Sequence, residues 1–357
     1  MTIVLDINTR FSDVGLAGEA SPSIIPSFIG YPVSPAGLDV KEIGFVPLES
    51  ERKLDHVDAL PVLDFAASGL GGGGDKLRYN QDALAVLCRY VTEQHVGERE
   101  LLLVCPSLCG PEFRSAVAEV LFETHGLERI LPQRSSVAAA FGCGRVSAVV
   151  PDLSCQYVQV STVQEGHVQS EAHEVTRDAY VSIEQVPLAF PYDAKTNPFV
   201  SQSFLEFAKY YRVYLPALRR PPVESCVAPD GTHLQCTQAH PEVDAAGLAG
   251  VVERLAGEVT RRVTNFDVLS AVVLGGEVPH LLQFDQLTSD MHVGGLPYIQ
   301  KAAGGTVGRG WRFLSHDRSA WFGGSILGSL SIYAQTAVDR SQWNEHGTSI
   351  WEKSGLC

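Results

Sequence analysis

At 357 residues, 45% of them apolar and with a mean hydropathy of +0.04, the chain can bury two sizeable cores, which excludes disorder on a large scale. Its 41 acidic and 27 basic residues leave a formal charge of −14, which repels phosphate backbones and anionic lipid. The pairs Arg219-Arg220 and Arg261-Arg262 are too small to reverse that, so neither direct nucleic-acid binding nor membrane association is expected.

The opening residues Met1 to Asp6 contain neither a basic region nor a long apolar run, so no signal peptide is expected, and no apolar stretch reaches the length of a membrane span. Within that opening, Ile3 to Asp6 is an apolar strand, and Val14 to Gly18 is its partner after a polar turn, which predicts a hairpin. Residues 31 to 81 show little periodicity and predict a loop-rich insertion. Gly71 to Gly74, followed by Asp75-Lys76, lack the order of a phosphate-binding GxxxxGK[ST] loop and predict a flexible loop instead.

Leu101 to Cys105 is a continuous apolar run and predicts a buried strand. It leads through Pro106 to a helix opening at Gly110-Pro111-Glu112, with Phe113, Val117, Val120, Leu121 and Thr124 on one face and Gly126 as its stop. Val146 to Val150 and Tyr157 to Val163 predict a second hairpin around Asp152 to Gln156. It repeats the plan of the first, as an internal duplication would. Asp244 caps a predicted helix whose Leu248, Val251, Val252, Leu255, Val259 and Val263 form a helical stripe. Val268 to Leu274 is then a strand running into Gly275-Gly276. Near the end, the glycine pair in Trp321-Phe322-Gly323-Gly324-Ser325 lets a helix start against another backbone, since neither carries a Cβ.

Eight cysteines, at 88, 105, 109, 143, 155, 226, 236 and 357, show no CxxC spacing; reduced thiols are expected rather than zinc ligands or disulfides. His125, His167 and His173, with Cys105 and Cys109, define no catalytic constellation.

Trp321 to Leu330 resembles the WIGGSILASL segment of actins and actin-related proteins, and Gln342 to Ile350 is similar to the family's KQEYDESGPSI. Arg114 to Thr124 is similar to REKMTQIMFET, and Asp6 to Glu19 with Ser21 to Gly30 follow the spacing of the family's opening. These matches come in the family's order, so the chain is identified as a divergent member of the actin-related proteins. The resemblance implies an α/β actin-like ATPase fold: two duplicated ribonuclease-H-like halves flanking a nucleotide cleft, with reduced outer subdomains. Residues 1–142 plus 318–357 would form the first half, with a shortened insertion at about 31–81. Residues 143–317 would form the second, with a reduced insertion at about 185–225.

The resemblance also marks the site. The family's glycine-bearing turn DNGSG is Asp6-Ile7-Asn8-Thr9-Arg10 here, and DSGDG is Asp152-Leu153-Ser154-Cys155-Gln156, with no glycine in either. Phosphate cradles favour glycine because it lets the anion approach the backbone N–H groups. Asp13 stands where actins carry a phosphate-reaching Lys, Glu277 where they carry Thr or Ser, and Asp317-Arg318 where they carry Lys-Tyr beside the adenine. The cofactor-binding candidates are Asp6, Asn8, Arg10, Asp152, Ser154, Gly275 and Gly276. Asp6 and Asp152 would hold Mg²⁺ through water if Mg-nucleotide binds, or else cap their turns. Arg10 either donates to phosphate or makes a surface ion pair with Asp13 or Glu19. The glycine pair at 275 and 276 serves either nucleotide or helix packing. The family's water-positioning Gln falls on Ser135, with Gln133 two residues earlier, and its His falls on Gln159, so no ATPase activity is expected.

The function implied is a non-catalytic structural subunit of a larger assembly, either cytoskeletal (dynactin-like or axonemal) or chromatin-associated. Its cofactor would be none, or ATP or ADP with Mg²⁺. Its partners would be protein subunits, including actin or other actin-related proteins, in the cytoplasm or the nucleus. The alternative is an ATP-binding, polymerising actin-like protein with weak ATPase.

Overall fold

The computed structural model describes residues 1–32, 57–65, 77–176, 179–182, 225–227, 233–235, 242–261, 263, 271–278, 312–314, 318–331 and 333–353. The expected insertion at 185–225, the Gly71 to Lys76 loop, Arg219, Arg220, Arg262, Asp317, Cys236 and Cys357 fall outside these, apart from Ser225.

Strand β1 (Thr2–Asp6) is buried along its whole length, as its apolar run dictates. The chain turns through Ile7 to Arg10 into antiparallel β2 (Phe11–Leu16), followed by antiparallel β3 (Ser23–Pro26). The short strand β4 (Phe28–Pro32) pairs with β5 (Val57–Pro61), and β6 (Leu63–Phe65) pairs with β7 (Leu77–Tyr79). These lie in the stretch expected to be loop. Strands of three to five residues are too short to display alternation in sequence.

Helix α1 (Gln81–Gln94) is capped by Asn80, which accepts from the Ala83 N–H, and buries Leu84, Leu87, Cys88 and Val91 at helical spacing. Strand β8 (Glu100–Cys105) runs parallel to β1. Helix α2 (Pro111–Glu119) begins as expected, with Gly110 as its N-cap and Pro111 at its first turn. It continues into a π-helical turn, Val120–Thr124, which the sequence does not announce. The wider turn shifts the register, so Phe122 is buried and Thr124 is exposed, where an unbroken helix would have put Thr124 on the apolar face. Gly126 ends the segment at φ +67°. Strand β9 (Arg129–Arg134) and helix α3 (Ser135–Gly142) complete this part.

The second hairpin forms as expected, from β10 (Ala148–Leu153) and β11 (Tyr157–Gln164), with β12 (His167–Val175) beside it. Short pairs join β13 (Val181–Ser182) to β16 (Glu242–Val243) and β14 (Ser225–Val227) to β15 (His233–Gln235). Helix α4 (Ala245–Thr260) is capped by Asp244, which accepts from Gly247 N–H, and buries Leu248, Val251, Val252, Leu255 and Val259. Val263, expected on the same stripe, lies beyond the helix end. Strands β17 (Ala271–Val273) and β18 (Arg312–Leu314) follow, then helix α5 (Ser319–Ser329), α6 (Tyr333–Thr336), β19 (Val338–Asp339), α7 (Arg340–His346) and α8 (Ile350–Lys353).

The first sheet runs β19-β9-β8-β1-β2-β3 and the second β18-β17-β10-β11-β12. Leaving out β19, the two share one order and one set of directions. The three strands at one side are parallel, and the three that include the hairpin are antiparallel. Helices α3 and α5 cross between the sheets, with Trp321 fully buried and its Nε1–H donating to the Val4 carbonyl at 3.2 Å. The glycine pair of α5 divides the work. Gly323 faces the backbone of α3, and Gly324 faces Val4 and Val104 of the first sheet. On the other side of that sheet, α1, α2 and the C-terminal helices bury a second core, in which Trp343 packs against Phe122 and Trp351 with ring centroids 5.9 Å apart.

Candidate functional site

Three turns meet where β1, β10 and β17 end. β1 ends on the buried Asp6, β10 carries the buried Asp152 one residue before its end, and β17 runs into Gly275-Gly276-Glu277. Gly276 sits at φ +89°, and a Cβ there would lie 2.5 Å from the Leu153 carbonyl, so this position needs glycine. Gly275 pairs with β10 through main-chain bonds to Pro151 and Leu153, both 2.9 Å. A Cβ on it would touch Ala139 of α3 at 3.4 Å. Gly275 thus packs against a strand and a helix, and Gly276 against Leu153.

The first turn faces inward with polar groups already engaged. Thr9 Oγ1 donates to Glu277 Oε1 at 3.0 Å, the Arg10 N–H donates to the same oxygen at 3.0 Å, and Thr9 Oγ1 lies 2.9 Å from Ser154 Oγ of the second turn. Thr9 was not among the residues expected at the site. The signal available for it is that Ser154 stands where the family's second turn has glycine while Thr9 keeps a hydroxyl at the family's Ser, so that two hydroxyls can bond each other across the turns. Gln156, also in the second turn, donates from Nε2 to Asp64 Oδ1 at 2.9 Å.

Arg10 is buried, 5.6 Å from the centroid of the Phe28 ring, and not in the expected surface ion pair. Asp13 is paired instead with Arg318 at 2.5 Å, the two side chains being 4% and 10% exposed. Glu19 accepts from the Leu16 N–H. Arg318 adopts a left-handed conformation, φ 53° and ψ 51°, immediately before α5. Such a backbone costs a non-glycine residue about 1–3 kcal/mol, and here it turns the guanidinium towards Asp13.

Burial is the main reason that Asp6 is held well above the usual carboxylate range. The charges of Asp13 and Asp152 raise it further, while Asn8, through a side-chain hydrogen bond, and Arg318 oppose the shift. Burial likewise pushes Asp152 from 3.8 up to about 6, against the Ser135 hydroxyl, which donates to Asp152 Oδ2 at 2.7 Å. Glu277 is raised by burial and eased down by the Arg10 N–H and charge and by Thr9. All three acids therefore bind protons more readily folded than unfolded. For Asp152, stability present below 3.8 is lost as pH rises through about 6, a change on the order of 3 kcal/mol. Thermal melting across this range is expected to show a decline towards neutral pH, and Asp152→Asn is expected to flatten it. A wild-type slope unchanged in the variant would refute the assignment.

Ser135, at the position of the family's water-positioning group, is bonded to Asp152. Gln159 turns away, donating to Glu171 Oε2 at 3.1 Å, and the Gln133 carbonyl accepts from the Cys105 thiol. The space bounded by Asp6, Asn8, Asp13, Gly276, Glu277 and Arg318 is about 20 Å³. That is room for about one water. Asp6 Oδ1 and Asp152 Oδ1 have no hydrogen-bond partner and would suit a hydrated cation. Two donors of the first turn, the Arg10 N–H and Thr9 Oγ1, already serve Glu277. Among the described residues no three acid, histidine or cysteine side chains converge as metal ligands. Cys88, Cys105, Cys109, Cys143 and Cys155 are free thiols. No described helix is long and apolar enough to cross a membrane.

Two mixed sheets of like strand order make this an α/β protein, and its relatives imply an actin-like fold. No family model matches the chain. It is 22% identical over 298 residues to actin-related protein 7 of Arabidopsis thaliana, an alignment covering 75% of this chain and 80% of that protein. It is 23% identical over 347 residues to actin-related protein 4 of Neurospora crassa, covering 77% and 71% respectively. The chain is a distant homologue of the actin-related proteins and belongs to the actin family.

Proposed function

We propose that the protein is a non-catalytic structural subunit, using the actin fold as a binding surface inside a larger protein assembly. The observation that carries this reading is the occupied first turn: its Arg10 N–H and Thr9 hydroxyl donate to Glu277 of the chain itself, where the family's turn would meet a phosphate. The shared strand order of the two sheets supports a duplicated fold, with halves at 1–142 plus 318–357 and at 143–317. Among the described residues, Ser135 is bonded to Asp152 and Gln159 to Glu171, which supports the absence of ATPase activity. That the relatives are actin-related proteins supports partners among other protein subunits, including actin or actin-related proteins. The assembly is cytoskeletal, dynactin-like or axonemal, or else chromatin-associated, with the corresponding cytoplasmic or nuclear location.

One observation favours a second reading, an ATP-binding, polymerising protein: the partnerless oxygens of Asp6 and Asp152, which would suit Mg²⁺. Natively purified protein, denatured and resolved by anion exchange, distinguishes the two. The expected result is neither ATP nor ADP, and no melting shift on adding Mg-ATP. A ligand at a hundred times its Kd would stabilise by about 2.7 kcal/mol, so a binding event would be plain. Stoichiometric ADP or ATP would overturn the nucleotide-free reading.

A further inference from the structure

The turn between β1 and β2 presents a main-chain N–H and a hydroxyl towards one point, the arrangement that binds an anion. The anion at that point belongs to the chain itself. Glu277 Oε1 accepts from both Arg10 N–H and Thr9 Oγ1, and Thr9 bridges onward to Ser154. Three segments separated by 145 and 268 residues from Thr9 or its neighbours thus converge on one buried carboxylate and one hydroxyl. The carboxylate is held from behind, since Gly275 is paired with β10 on both its polar groups and Gly276 allows the chain to turn against Leu153. The Arg10 side chain also attracts it.

We propose that Glu277 is a built-in latch: its carboxylate takes the anion position of the first turn and ties that turn to the second sheet, so that the cleft closes with no bound anion. This deepens the structural-subunit reading and rests on it in taking the wild-type cleft to be free of nucleotide. Glu277 also has a property that a phosphate lacks. A covalently attached anion cannot dissociate, so closure does not depend on any ligand concentration.

The test is chemical rescue in the full chain. Glu277→Ala is expected to melt lower by on the order of 10 °C, because two donors lose a charged acceptor in a buried place. Sodium acetate or inorganic phosphate, compared with sodium chloride at equal ionic strength, is expected to restore much of that loss and to leave the wild type unmoved. Glu277→Gln keeps an acceptor oxygen for both donors and is expected to melt nearer the wild type and to ignore both anions. A Glu277→Ala protein that melts like the wild type, or that responds to neither anion, overturns the latch. Should Glu277→Ala fail to fold, hydrogen exchange on the nucleotide-free wild type decides. The Arg10 amide is expected to be protected as strongly as the amides of β1, and rapid exchange there overturns the proposal. Bound nucleotide in the wild type would sink the nucleotide-free reading on which the latch rests, whereas failed rescue in a nucleotide-free protein sinks the latch alone.

Discussion

Gly323→Ala is expected to lower the melting temperature by on the order of 10 °C, or to prevent folding. A Cβ at this position would stand 1.7 Å from the Ala138 carbonyl oxygen, 2.6 Å from the carbon and 2.8 Å from the Gly142 nitrogen. All three are backbone atoms of α3, so no side chain can swing away to make room. The contact is reciprocal, since a Cβ on Gly142 would lie 2.1 Å from the Ser319 carbonyl oxygen. Relief requires α3 and α5 to separate, and both are gripped between two sheets. Overpacking commonly costs about 1–3 kcal/mol, and a backbone-to-backbone clash belongs at or above the top of that range. Gly250→Ala is the matched control. That glycine is exposed inside α4 with nothing within 4 Å of a new Cβ, so alanine is expected to stabilise by about 0.5–1 kcal/mol through helix propensity alone. Calorimetric melting of the two variants tests the contrast. Equal effects would mean that the helices do not touch as described.

Arg318→Ala is expected to cost about 3–5 kcal/mol, because it strands Asp13 as a buried charge with Asp6 close by. The pair itself need not be strongly stabilising. Replacing both residues, Asp13→Leu with Arg318→Leu, is expected to recover most of the loss, because desolvating two charges offsets much of their attraction. Denaturant titration of the two single variants and the double supplies the coupling energy. Additive losses would show that the two side chains do not act together.

What could be read from the sequence was what short-range pattern encodes. Both hairpins, the start of α2 at Gly110-Pro111 and the buried stripe of α4 all follow from runs of neighbouring residues, whereas α5 begins at Ser319, before the glycine pair expected to open it, which lies inside the helix. The π-turn at Val120–Thr124 escaped because the same apolar residues satisfy an unbroken helix, and only the exchange of Thr124 for Phe122 in the core separates the two. At the site, sequence marked most of the polar positions but not their partnerships. Arg10 was expected to meet a phosphate or to pair with Asp13 or Glu19, whereas Asp13 is met by Arg318, 305 residues distant. Glu277 stood out as an acid in place of Thr or Ser, yet its bond to Thr9 spans 268 residues. No local rule predicts such pairings, which depend on how the two sheets come together.

The first sheet is assembled from both ends of the chain. β1 lies in its middle, β19 closes one edge, and Trp321 of α5 reaches across 317 residues to bond the Val4 carbonyl. During translation at about 5–20 residues per second, that partner arrives roughly 15–60 s after Val4 has been made. Until then β1 and β8 expose the apolar surface that α5 will cover, next to an open strand edge. The nascent chain therefore has a long window in which aggregation competes with folding, because the face that α5 covers is left open until synthesis has passed it.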